Sequence, residues 1–292
     1  NVRLYVTINT ILFEDELNDV FEFADFLVHN HVDALIVQDI GIIEAFCERY
    51  PDTEIHASTQ MNSYNISQIE YLKNLGVKRV ILARETSIED IQYITSTIDI
   101  DVEVFIHGAL CVSYSGNCSL SYFMGGRSGN RGECAQPCRL KYKLSKDNKV
   151  VRDEAYLMST KDLMTIEYLK DVISCGVTSL KIEGRMKKPS YVAATVTAYK
   201  DALEHLDDSN YDLTKRISEL QVSFNREYTK GYLLNGSPYN INNSKRPNHQ
   251  GIEIGTVLDY NRGKTVIKLT DTLTVSDGIR IEGIVDIGGV VS

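Results

Sequence analysis

From residue 2 to about residue 206, short apolar runs alternate with longer stretches in which apolar residues recur every three or four positions. The first run, VRLYVTIN (2–9), is β-branched and apolar, and reads as a strand closed by a turn at Asn9 and Thr10. From Asp15 to His29, Leu17, Val20, Phe21, Ala24, Leu27 and Val28 fall on one helical face. The unit then repeats. VDALIVQD (32–39) leads to a helix over about Ile42–Arg49, TEIHAST (53–59) to one over about Ser67–Leu75, and KRVILAR (78–84) to one over about Ile88–Ile94. DVEVFIHG (101–108) leads into a glycine-rich loop, a helix is expected from Leu163 to Ser174, and TSLKIEGR (178–185) precedes a long helix from about Ser190 to Leu206. Short, nearly continuous apolar strands between amphipathic helices predict a parallel sheet covered by helices.

Six such units fit an open doubly wound sheet or part of an eight-stranded barrel, and no G-x-G-x-x-G loop marks the first. Polar residues gather where the strands end: Asn9, Gln38 with Asp39, His56 with Ser58 and Gln60, Arg84 with Glu85, His107, and Lys181 with Glu183 and Arg185. Barrel enzymes build their sites on that face from several strands at once, so the pattern favours a (β/α)8 TIM-type barrel over residues 1–206. Any one of these residues alone also reads as a solvated strand end or a helix cap. Two βα units short of eight, with asparagine at position 1, the chain is expected to lack its first two units. Residues 207–250 read as a helical and aromatic linker, including ISELQVSFNREYTKGYLLNG (217–236) and the polar NINNSKRPNHQ (240–250). Residues 251–292 hold short β-rich runs divided by Asn-Arg-Gly and Asp-Gly turns, as in a small all-β domain that is also truncated.

Composition is ordinarily globular, with 43% hydrophobic and 24% charged residues, and no apolar run is long enough to cross a bilayer. The chain is therefore expected to be cytoplasmic, without a membrane partner. Its net charge of -9 argues against general nucleic-acid binding, yet between Gly125 and Arg152 eight basic residues face two acidic ones, a local balance of +6. That patch adjoins the most unusual stretch, Glu103–Cys138, which holds four of the six cysteines and six glycines.

Cys111, Cys118, Cys134 and Cys138 are separated by six, fifteen and three residues. A reducing compartment argues against disulfides, and clustered cysteines point first to metal or redox chemistry. Structural zinc sites pair cysteines two to four residues apart, and only Cys134 and Cys138 come that close. The wide, glycine-rich spacing suits an iron–sulfur cluster better, with zinc, disulfides and plain structural thiols as alternatives. Cys47 lies in an apolar helix pattern and reads as core; Cys175 reads as core or as a substitute ligand.

Glu103, Phe105, Gly108, Ala109, Leu110, Cys111, Gly116, Cys118, Leu120 and Ser121 match, in order and spacing, the diagnostic pattern of the collagenase-like "U-thirty-two" peptidase family. QDIG (38–41), HASTQMN (56–62), LARE (82–85), GNRGECAQPCR ending at Arg139, STKDL (159–163), SLKIEGR (179–185) and FNREYTKGY (224–232) resemble further landmarks, so the likeness covers nearly the whole chain. The name implies a peptidase, but the sequence has neither a G-x-S-x-G elbow nor an H-E-x-x-H zinc helix. Family members also resemble oxygen-independent hydroxylases that carry a 4Fe-4S cluster. The chain is most similar to the branch of prephenate-dependent tRNA uridine hydroxylases, which form 5-hydroxyuridine at the wobble position, while a sister branch acts on a cytidine in rRNA. The resemblance implies a cluster on Cys111, Cys118, Cys134 and Cys138, prephenate as co-substrate, tRNA as partner, and room for a related partner subunit or a non-catalytic role. A dicarboxylate calls for guanidinium partners, for which Arg84 and Arg185 are the candidates, with Lys181, Gln38 and Asn9 beside them. His107, His56 and Glu183 are candidate proton carriers, and Arg127, Arg131, Arg139, Lys141 and Lys143 candidate phosphate contacts.

Overall fold

A computed structural model of the chain describes residues 2–234, 240–283 and 286–291. It divides into two compact units, residues 1–250 and 251–292. The first is built on six parallel strands: β1 (Tyr5–Ile8), β2 (Ala34–Val37), β3 (Glu54–Ala57), β4 (Arg79–Ile81), the long β5 (Asp101–Ala109) and β9 (Ser179–Ile182). They pair in the order β1-β2-β3-β4-β5-β9, each in parallel register. Helices α1 (Leu17–His29), α2 (Ile40–Arg49), α3 (Ile66–Leu75), α4 (Ile88–Thr97) and α7 (Pro189–Glu204) follow the strands as the apolar spacing requires. The α/β character and the parallel sheet expected from sequence are thus observed. Among the described residues β1 pairs with β2 alone, so the strands make an open run rather than a closed ring.

Strand alternation sorts the side chains. Leu35, Val37, Ile55, Ala57, Val80, Val102, Val104 and Ile106 form one core with Ile43, Phe46, Ile69, Leu72, Ile91 and Ile94 of the helices. The intervening positions form a second, smaller cluster of Ile36, Ile81, Phe105 and Leu163, with Tyr5 packed against it. On β4, β5 and β9 the same inner positions carry charge: Glu103 accepts from Lys181 Nζ at 2.9 Å and Ser179 Oγ at 2.8 Å, and Arg79 Nη1 lies 3.6 Å away. Burial would push the Glu103 carboxyl up, but Lys181, Ser179 and Arg79 together hold it below its ordinary value.

Three expectations are corrected. The helix predicted from Leu163 is a short strand, β8 (Asp162–Met164), then a single 3-10 turn and α6 (Leu169–Ser174). The strand wins because it pairs antiparallel with the last residues of β5, His107↔Met164 and Ala109↔Asp162, and puts Leu163 into the inner cluster. Residues 207–250 belong to the first unit: α8 (Thr214–Ser223) buries Leu220, and β10 (Tyr228–Thr229) pairs with β8. Residues 235 and 236 of the expected aromatic turn lie outside the described residues. Within the basic stretch, β6 (Tyr142–Lys146) and β7 (Lys149–Ala155) form an unforeseen hairpin. In the second unit the described residues form two hairpins, β11 (Gly255–Asn261) with β12 (Lys264–Leu269) and β13 (Gly278–Ile281) with β14 (Ile287–Val290). No helix among the described residues is long and apolar enough to cross a membrane.

Candidate functional site

The chain leaves β5 into the cysteine-bearing loop, and the loop is tied down by nearly every neighbouring strand end. Gly108 has φ +107°, and a Cβ there would sit 2.5 Å from the Glu183 carbonyl oxygen, so glycine is what lets β5 run against β9. Ser115 donates to Glu85 Oε2 at 3.0 Å and accepts from the Arg84 backbone N–H at 3.1 Å. Gly116, at φ +74°, packs against the Gln60 carbonyl, which accepts from Gln38 Nε2 at 3.3 Å. Arg131 reaches back to the Ile11 carbonyl and Glu16, with its guanidinium 4.6 Å over the Phe13 ring. Arg185 Nη2 donates to the Gly132 carbonyl at 2.6 Å. Arg139 donates to Ser159 Oγ at 2.8 Å, Thr160 Oγ1 at 2.7 Å, the Thr160 carbonyl and the Leu110 carbonyl at 3.2 Å, immediately before Cys111. The short helix α5 (Leu120–Gly125) is fixed to the same loop by Ser121 Oγ, which accepts from Ala135 N at 2.9 Å.

This anchoring draws together Cys111, Cys118, Cys134 and Cys138, which form no disulfide. Cys111 and Cys138 are buried enough to push their thiols up. A backbone N–H of Ser113 and the Arg84 charge oppose this at Cys111, and Arg139 opposes it at Cys138. Charge on Cys118 and Cys134 would raise Cys111 further, and charge on Cys111, Cys134 and Cys118 would raise Cys138, so these two buried thiols lie within the field of the others. Gln136 N–H donates to Cys134 Sγ at 3.3 Å. Soft sulfur donors free of disulfides, two of them receiving backbone N–H groups and two facing arginines, suit a soft-metal or cluster ligand set. Among the described residues no three His, Cys, Asp or Glu side chains are grouped tightly enough for a single ion. Cys175 is not a member: its sulfur donates to the Asp171 carbonyl at 3.2 Å inside the helical core, which overturns the substitute-ligand alternative.

The other predicted residues divide between the site and its scaffold. Arg84 lies 4.0 Å over the Phe105 ring, 3.7 Å from Glu183 Oε2 and near Cys111, with a buried Nε that has no hydrogen-bond partner. Arg84 and Glu183 are thus brought together beside the cysteines. Lys181, expected to receive substrate, is paired to Glu103, and Arg185 is held by the loop. Asn9 offers its carbonyl to Gln60 Nε2 at 2.7 Å, and the buried Gln38 keeps an unpartnered Oε1.

His56 and His107 differ from expectation. His56 is fully buried within β3, its Nε2 2.9 Å from Glu54 Oε2 and its ring edge-on to Tyr5; burial pulls its pKa down. His107 is enclosed by Tyr191, Tyr199 and Tyr228, with Nδ1 3.3 Å from Tyr199 Oη. Burial, helped by the Lys187 charge, pulls it down to about 3, so it is neutral at physiological pH rather than poised near neutrality. Of the predicted phosphate contacts, Arg131 and Arg139 are corrected to loop anchors because their donors point inward to protein acceptors. Lys143 faces Asp153 at 3.6 Å and Glu154 at 3.9 Å, while Arg127 and Lys141 remain exposed.

One group was not foreseen as a site. Asp162, fully buried, accepts from Arg226 Nε at 3.0 Å, and Lys187 Nζ stands 3.9 Å from its other oxygen and 2.8 Å from the Phe224 ring centroid. Burial outweighs Asp162 and pulls the Lys187 amine down to about 8. The STKDL and FNREYTKGY stretches held the signal, but nothing in either says that they meet.

A parallel α/β scaffold whose strand ends hold a four-thiol loop defines the class, and the sequence comparisons give it a family. The chain belongs to peptidase family U32, whose description matches residues 1–243. It is 36% identical over 289 residues to the 23S rRNA 5-hydroxycytidine C2501 synthase of Escherichia coli, covering 96% of this chain and 44% of the relative. It is 35% identical over 302 residues to an uncharacterized protease of Methanocaldococcus jannaschii (97% and 73%) and 33% identical over 294 residues to tRNA hydroxylation protein P1 of Bacillus subtilis (96% and 69%). The chain spans less than half the length of the first of these relatives.

Proposed function

We propose that this chain is an RNA-modifying enzyme that hydroxylates a pyrimidine, the wobble uridine of tRNA to 5-hydroxyuridine, without molecular oxygen, with a 4Fe-4S cluster and prephenate. The observation that carries this reading is a loop of four unbridged cysteines, Cys111 and Cys138 each within the field of others of the set, that follows the C-terminal end of β5, in a chain with relatives named for RNA hydroxylation. The six strands are then part of a (β/α)8 barrel, with the cysteine loop across its mouth. Cys111, Cys118, Cys134 and Cys138 would hold the cluster, which when bound supplies one-electron redox chemistry. Arg84, rigid on Phe105 and with Nε to spare, would take a carboxylate of the co-substrate, and Glu183 beside it would hold or release a proton. His107 would serve as a neutral wall. A base acted on here must be unstacked, which suits an anticodon loop.

The rRNA cytidine reading shares this chemistry and differs in the RNA and in the pyrimidine acted on. A peptidase needs a nucleophile beside a base. The two buried histidines instead meet Glu54 and tyrosines, and the cysteines lie together. Anaerobic reconstitution with iron and sulfide tests the reading. The wild-type protein is expected to gain broad visible absorbance that a Cys111→Ala/Cys118→Ala variant lacks, and identical featureless spectra would sink it.

A further inference from the structure

The exposed basic hairpin β6–β7 is fastened to the cysteine loop. Helix α5 lies between Cys118 and Cys134 and turns two aromatic rings outward: Phe123 is 82% exposed and Tyr122 57%, with ring centroids 5.9 Å apart and planes at 72°. Rings so exposed gain nothing from the core, and they sit on a fixed support. Gly126 N–H closes the helix onto the Tyr122 carbonyl at 2.7 Å, and Ser121 is bonded to Ala135. The base of the β6–β7 hairpin is fastened to the same support, since Tyr142 Oη donates to the Pro137 carbonyl at 2.8 Å and lies 3.6 Å from Met124 Sδ.

The hairpin turns on Asp147 and Asn148, both left-handed at φ 51° and 60°. This sets Lys146 directly across from Lys149, and Leu144 across from Arg152. Like charges directly opposite are destabilising, and neither lysine has an ion-pair partner among the described residues, in contrast to Lys143. In a chain of net charge -9, unpaired cations in this arrangement are complementary to a polyanion.

Resting on the RNA reading above, we propose that the α5 rim and the β6–β7 hairpin form the docking surface for a single-stranded RNA loop. Phe123 and Tyr122 stack an unpaired base, and Lys146, Lys149, Arg152 and Arg127 meet the flanking phosphates. Aromatic stacking with a basic track is how proteins hold unpaired nucleotides without reading their sequence. The cysteines on either side of α5 put that base at the rim of the candidate reaction site.

The test uses the full-length protein, a fluorescent stem–loop RNA with an unpaired pyrimidine loop, and a blunt duplex of equal length, with thermal melting to select variants that keep the wild-type fold. The wild type is expected to bind the stem–loop more tightly. Phe123→Ala weakens binding on the order of tenfold or more while Phe123→Trp retains it. Lys146→Glu with Lys149→Glu lowers the slope of log K against log salt by about 0.7 per lost contact. Folded variants that keep the wild-type affinity and slope would overturn the surface but leave RNA chemistry standing. A wild type that binds neither RNA would overturn both readings. Loss of binding to phosphatidylserine vesicles with RNA affinity intact would make this a membrane surface and overturn the proposal.

Discussion

Gly116→Ala separates two costs that a glycine substitution usually mixes. At φ +74° an alanine adopts the left-handed region, which costs roughly 1–2 kcal/mol. Its Cβ would also overlap the Gln60 carbonyl oxygen and sit 2.6 Å from the carbonyl carbon, where carbon atoms rest about 3.5–4.0 Å apart, so the loop and the turn after β3 must part by more than about 1 Å. Overpacking of that kind adds about 1–3 kcal/mol, and the motion shifts Cys111 and Cys118, which flank residue 116. Gly126→Ala is the matched control, since Gly126 has φ +71° and nothing within 4 Å of a built Cβ. Thermal unfolding should show Gly126→Ala lowering Tm by about 2–4 °C and Gly116→Ala by roughly 4–10 °C. Iron and acid-labile sulfide after reconstitution should fall in Gly116→Ala alone. Equal losses in the two variants would refute the claim that the Gln60 contact holds the loop in place.

Arg139→Gln should destabilise by about 3 kcal/mol, because buried carbonyl and hydroxyl partners lose a charged donor, and should leave the salt dependence of RNA binding unchanged; urea titration and binding isotherms check both. His107→Phe tests the buried neutral imidazole. With a folded pKa of about 3, below the ordinary 6.5, the unfolded chain binds a proton that the native state refuses, so wild-type stability is lost as pH falls from about 6.5 towards 3. The difference between wild type and variant in urea melts should change by up to about 1.4 kcal/mol per pH unit in that window and be flat above it. Lys187→Met should stabilise at neutral pH by about 1–3 kcal/mol, because the charged amine is buried at a cost. That gain should shrink between about pH 8 and 10.5, where the native lysine is neutral and the unfolded one still charged, and a pH-independent difference would contradict it.

The parallel scaffold was legible because each strand is a short apolar run and each helix has a one-sided apolar stripe, both local signals. Helices begin where side chains cap them, as Asp39 accepts from Gly41 and Ile42 and Ser87 from Asp90. The same residues explain why polar strand ends overstate a site: Asp39 is a cap, and Glu85, Gln60 and Arg185 make contacts that hold the loop. β8 was hidden because its three residues become a strand through pairing with β5, a partner more than fifty residues away. Arg139 and Lys141 look alike in a basic run, and burial beneath the loop decides that one is a clamp and the other exposed. Likewise His107 carries no mark in sequence of the three tyrosines that keep it neutral. The family pattern itself becomes physical: Glu103 is ion-paired, Phe105 lies under Arg84, Gly108 and Gly116 meet backbone carbonyls, and Ser121 fixes α5.

The most direct measurement is nucleoside mass spectrometry of tRNA and rRNA from cells lacking the gene, complemented with the wild-type gene or with a Cys111→Ala/Cys118→Ala variant. If the chain hydroxylates the wobble uridine, 5-hydroxyuridine and nucleosides derived from it disappear from tRNA, return with the wild type and stay absent with the variant. Hydroxylated pyrimidines unchanged in both RNAs, in a strain with no other route to them, would contradict it.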